Sequence, residues 1–119
     1  MTTSIYTKFF KVQNEVKKPN DFSNHTEILK SLKTLLEKYK LTLVLSNDTS
    51  QPFVQEKIDK EYLIKYLKKV EIIEQENPEN KLFFNFWAVG NNIDLDQAKN
   101  NAENCAIKAM FDNLFYWGN

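Results

Sequence analysis

Seven lysines are the residues best placed to do chemistry in this chain. Lys57, Lys60, Lys65, Lys68 and Lys69 crowd into one stretch, and Lys99 and Lys108 follow near the end. A lysine ammonium is a phosphate-seeking point charge, and Tyr62, Tyr66 and Trp87 supply rings on which bases can stack. Together these are the parts of a single-strand nucleic-acid site. Glu56, Asp59 and Glu61 dilute the first group, so ordinary surface charge is the competing reading.

Other chemistries lack their parts. His25 is the only histidine and lies inside a helix-capping sequence, which reads as a local loop role. No serine has a base at a recognised spacing, and two glycines cannot build a phosphate loop. Glu71, Glu74, Glu76 and Glu79 have the chemistry for Mg²⁺, but carboxylates running into a turn read more simply as a solvated rim. The single cysteine, Cys105, rules out an internal disulfide and reads as a small core residue on the last helix. The expectation is therefore no catalytic residue, no metal, no cofactor and no enzymatic activity.

The elements that must position the lysines follow from periodicity. At 119 residues, with nine Phe, five Tyr and two Trp, the chain reads as one domain spanning 1–119 with an aromatic core. Ile5, Phe9, Val12 and Val16 recur at helical spacing, and Lys18-Pro19-Asn20-Asp21 ends that helix. Asn24 and Glu27 form a capping pair for a second helix carrying Ile28, Leu32, Leu35, Leu36 and Tyr39. Leu41, Leu43 and Leu45 alternate with polar or smaller residues and mark a strand. Asn47 to Pro52 breaks it, and Phe53 to Lys60 reads as a loop or an irregular lead. Tyr62 to Gln75 reads as a strand in its second half, with helix competing over the first half.

Asn77-Pro78-Glu79-Asn80 is a turn, and Lys81 to Val89 is a strand with Phe83, Asn85, Trp87 and Val89 on one side and Leu82, Phe84, Phe86 and Ala88 on the other. Such a strand sits centrally in a covered sheet or shows one aromatic face to a partner. Gly90-Asn91-Asn92 reads as a turn into a long helix, Asp94 to Trp117, whose buried face carries Ala98, Ala102, Cys105, Ala106, Met110 and Leu114. Asp94 caps its start, and Gly118 suits the position after its end. The predicted fold is α+β: two N-terminal helices, a three-stranded antiparallel sheet, and a long C-terminal helix packed on the sheet.

Both ends of the chain resemble the Erf family of phage single-strand annealing proteins. The match runs through Ile5-Tyr6-Thr7-Lys8, Val12-Gln13-Asn14-Glu15, Lys18-Pro19, Glu27-Ile28-Leu29, Leu35 to Tyr39, Leu41-Thr42-Leu43 and Ser46-Asn47-Asp48. At the other end Gln97, Ala102, Ala106, Lys108 and Asn113-Leu114-Phe115 fall at the spacing of the family's final helix. The resemblance implies ATP-independent annealing of single-stranded DNA held in a basic groove and ring or filament assembly; Met1 to Phe10 lacks both a basic start and a long apolar run, so a cytoplasmic location is expected, that of the host cell if the chain is phage-encoded. The abundance of Lys and Asn fits the AT-rich genome of a phage or its host. The final helix is also similar to that of double-stranded RNA-binding domains, but Asp94 and Asp96 stand where those domains place lysines.

The departures from the family define the alternative. Asn20 to His25 is short and uncharged by lysine where the family carries a basic aromatic segment, Lys40 replaces a usual glycine, and Ile107 replaces a usual arginine. The net charge is zero and every basic residue is lysine, which argues against sequence-specific duplex readout. The same fold turned into a protein-binding module, such as a phage inhibitor of a host defence complex, is the second reading. The expected partners are single-stranded DNA through Lys65, Lys68, Lys69, Lys99 and Lys108, further copies of the chain, or a host protein, and no membrane. Removing charge at those five lysines is expected to leave thermal stability nearly unchanged.

Overall fold

A computed structural model describes residues 4–48 and 53–115. The element order is α1 (Ile5–Glu15), α2 (His25–Lys38), β1 (Leu41–Asn47), β2 (Val54–Ile58), β3 (Glu61–Glu74), β4 (Lys81–Asn92) and α3 (Leu95–Leu114). The class is α+β, as the periodicity predicts. The expectations placed on Thr49–Pro52, Tyr116, Trp117 and Gly118 fall outside the described residues.

Local chemistry explains most element ends. Ser4 accepts from the Thr7 amide and Asn24 from the Glu27 amide, satisfying amides that the first turns of α1 and α2 leave unpaired. Asp94 caps α3 through the Asp96 amide. Lys40, just after α2, stands at φ 58°, the left-handed conformation for which glycine is favoured at a helix end. The turn between β3 and β4 is closed by the Asn80 amide donating to the Asn77 carbonyl, with Pro78 at its first corner.

The sheet has four strands, one more than the sequence reading, and all are antiparallel. The extra strand, β2, lies in the segment read as a loop. A two-residue turn at Asp59 and Lys60, with φ of 48° and 71°, folds it back on β3. Two consecutive left-handed residues match the right-handed twist of a hairpin, a geometry usually signalled by Asn-Gly. β3 is central. β4 pairs along one edge from Tyr62 to Ile73, while β1 and β2 lie end to end along the other, opposite Lys68–Glu74 and Glu61–Lys65.

One face of the sheet is covered. Leu41 and Leu43 from β1, Val70 and Ile72 from β3 and Leu82 from β4 pack beneath α1, α2 and the C-terminal half of α3. A second cluster joins Ile64, Tyr66 and Ala88 to Ala98, Ala102 and Ala106 of α3. Leu43, Ala102, Ala106, Met110 and Leu114 are buried as expected, and Phe84 and Phe86 are half-buried against the larger cluster.

Three expectations are corrected. Gly90 lies within β4, not in a turn. Cys105 is exposed, because Ile107 and Phe111 draw the buried face of α3 toward α1 and α2 and leave Cys105 on its flank. Glu74, assigned to a solvated rim, is buried, with Lys8 Nζ 3.6 Å from its carboxylate and 3.8 Å from that of Glu76. The flank of α3 also guards the outer edge of β4. Asn101 Nδ2 donates to the Asn91 carbonyl at 3.2 Å, and Cys105 Sγ lies 3.9 Å from that of Trp87. Main-chain groups of an edge strand are otherwise templates for unwanted pairing.

Candidate nucleic-acid interface

The alternation of β3 divides the predicted lysines between two faces. Lys65 and Lys69 point to the open face of the sheet, and Lys68, between them, points to the covered one. The register of β3 on β4 then determines what Lys65 and Lys69 meet. Lys65 is opposite Val89 and Lys69 opposite Asn85, so each reaches diagonally to the ring two residues earlier. Lys65 Nζ stands 4.9 Å from the Trp87 ring centroid and Lys69 Nζ 5.9 Å from that of Phe83. Both distances fall within cation–π range.

These rings are open. Phe83 is 59% exposed and Trp87 47%, and Val44 and Val89 add exposed apolar surface on the same face. Of the two structural options for β4, the one realised is an uncovered aromatic face. Lys69 also reaches Glu71 at 3.3 Å, a half-exposed pair that contributes little to stability.

Lys68 belongs to a different site. Its side chain is 10% exposed, its ammonium pairs with Glu103 at 2.8 Å and it donates to Asn47 Oδ1 at 3.1 Å. The Tyr66 hydroxyl donates to the same Glu103 carboxylate. This corrects the assignment of Lys68 as a surface phosphate contact: its charge is consumed inside the fold. Lys99 and Tyr66 both line a cleft, together with His25, Asn47, Phe53, Asp96, Asn100 and Glu103. His25 Nδ1 bonds Asn104 Oδ1 at 2.5 Å and so ties α2 to α3. Lys108 sits exposed on the solvent side of α3, 3.6 Å from Asp112, and joins neither the open-face pair nor the cleft.

No family model matches the chain, and neither does any curated protein or solved structure compared with it. Function therefore rests on the geometry. Among the described residues there is no group of three or more His, Cys, Asp or Glu side chains that could hold a metal ion, and no helix is long and apolar enough to cross a membrane.

Burial, and then the hydrogen bond to Glu103, hold the Tyr66 phenol well above its ordinary range. The sign of the linkage follows. An unfolded tyrosine ionises near pH 10, so the Tyr66 contribution is fully present below that and is lost as pH rises beyond it. Thermal melts from pH 8 to 11 should show stability falling above about pH 10. Tyr66→Phe should melt with a shallower decline over that window, and an unchanged slope in the variant would remove Tyr66 from the account.

Proposed function

We propose that the chain binds single-stranded DNA across the open face of its sheet and, as the Erf resemblance implies, anneals it to a complementary strand without ATP. The observation that carries this reading is the pair of lysine-over-ring contacts, Lys65 on Trp87 and Lys69 on Phe83. Sequence-tolerant strand binding needs a ring face for each captured base and a cation beside it for the phosphate, and both occur here twice in the same diagonal arrangement. Phe83 and Trp87 are four residues apart on one strand, about 13 Å, so they meet different bases. Asn85 between them, also exposed, offers an amide to a base edge. The neutral net charge limits the long-range attraction, which makes the affinity depend on stacking more than in a basic protein. Annealing also calls for neighbouring copies along the strand, to be tested by light scattering at micromolar concentration.

Fluorescence anisotropy with a labelled oligonucleotide tests strand binding. Trp87→Ala should weaken binding roughly tenfold, in keeping with the value of one base stack. Lys65→Gln with Lys69→Gln should lower the salt slope by about 1.4, since each phosphate contact on a single strand contributes about 0.7. Lys108→Gln should change neither. The reading fails if the protein shows no oligonucleotide binding near 50 mM salt, where screening is weak. That outcome would favour the protein-binding module, for which Leu63, Leu67 and Ile73, half-buried on the same open face as the rings, are the supporting feature.

A further inference from the structure

On the covered side of β3 a stack of rings stops one layer short. Lys68 Nζ lies 5.5 Å from the Tyr66 ring centroid, and the Phe53 ring stacks on Tyr66 at 5.7 Å and 30°. Phe53 is 51% exposed, so a ring face remains open toward the cleft of about 550 Å³ that it lines. That volume falls within the range of small-molecule sites. The polar groups around it are arranged for a ligand with both a base and an anionic group. Asn47 accepts from Lys68 through its oxygen, which turns its two amide hydrogens to other acceptors. His25 uses Nδ1 on Asn104 and keeps Nε2. Asn100 adds a second amide.

Charge decides the class. Glu103 is neutralised by Lys68 and also accepts from Tyr66, while Lys99 has no charged partner among the described residues. Asp96 also lines the cleft, one turn before Lys99 on the same face of α3, and Lys99 is the cation there that a phosphate would meet. We infer that this cleft binds a single nucleotide, its base stacked on Phe53 and read by Asn47 and Asn100, its phosphate held by Lys99. The nucleotide is either a free nucleoside 5′-monophosphate or the phosphorylated end of a strand. The site lies on the opposite face of the sheet from Trp87 and does not depend on strand binding there.

Calorimetric titration of the full chain with thymidine and adenosine 5′-monophosphates tests it, with the parent nucleosides and inorganic phosphate as separate probes. Saturable binding of a monophosphate at millimolar concentration or below is expected. Phe53→Leu, which keeps apolar packing but removes the ring, should weaken it roughly tenfold, the loss of one base stack. Lys99→Gln should erase the preference for the monophosphate over its nucleoside. Trp87→Ala should leave nucleotide affinity unchanged while reducing oligonucleotide binding, so the two sites fail separately. An oligonucleotide bearing a 5′-phosphate that competes with the monophosphate assigns the site to strand ends, and one that does not assigns it to free nucleotides. No saturable binding by several millimolar, binding equal to that of inorganic phosphate alone, or an undiminished affinity in Phe53→Leu overturns the inference.

Discussion

Gly90→Ala is expected to destabilise the protein by about 3 kcal/mol or more, the upper end for overpacking. A Cβ at this position would stand 2.4 Å from the Ala102 amide nitrogen, 2.5 Å from the Ala98 carbonyl oxygen and 2.9 Å from the Asn101 carbonyl carbon. All three are main-chain atoms of α3, which cannot yield by rotating a side chain. Ala98 and Ala102 are fully buried, and with Gly90 they let helix and sheet approach to backbone contact. The added methyl must push the first half of α3 off β4. For a chain of this size that corresponds to roughly 10–15 °C in melting temperature. Because the clash is with the helix backbone, Ala102→Gly should not rescue the variant. Circular dichroism melts of Gly90→Ala beside Asn85→Ala, on the open face, measure the effect, and a Gly90→Ala melt within about 2 °C of the parent would refute the close approach.

The second large effect separates Lys68 from the other lysines. Lys68→Met strips Glu103 of its cation and Asn47 of its donor beneath the sheet, while Tyr66 still donates to the stranded carboxylate. Removing one partner of a buried pair typically costs about 3–5 kcal/mol, and the 27% exposure of the Glu103 side chain places this case nearer 2–3 kcal/mol. Lys68→Met with Glu103→Leu should recover most of that loss, since no uncompensated charge remains. Lys65→Gln and Lys69→Gln should stay within about 0.5 kcal/mol. Denaturant titration of the four variants gives the comparison. The expectation that all five lysines are thermally silent is therefore withdrawn for Lys68. A destabilised Lys68 variant that also loses DNA binding carries no information about DNA contact.

What the sequence disclosed follows how local each signal is. Asn24 with Glu27, and the alternation of Leu41, Leu43 and Leu45, act over a few residues, so cap and strand were legible. The strand Val54–Ile58 was not, because at the sheet's edge it has no buried side to impose alternation: Gln55, Glu56, Lys57 and Ile58 are all exposed. It exists through its pairing to β3, and the Asp59-Lys60 turn that creates the pairing uses residues rarely found with both φ values positive. The site was legible to the same degree. The identity of the lysines and rings could be read, but their grouping depends on the β3–β4 register, which no single segment encodes. Lys68 and Lys69 are neighbours in sequence and lie on opposite sides of the sheet.

The arrangement of strands around β3 also sets how the sheet is put together in time. Among the described residues β1, β2 and β4 each pair with β3 and with no other strand. The β2–β3 and β3–β4 connections are short, and such hairpins form in microseconds because little chain entropy is lost in closing them. β1 must instead close over the whole of β2 and its turn to reach Lys68–Glu74. The expected seed is β3 with its two hairpin neighbours, with β1 and the α1–α2 pair laid on later, and φ-values higher in the two hairpins than in β1 would check it. Because each of the three pairings is made to β3, the sheet has no half-formed state that keeps two strands together once β3 departs.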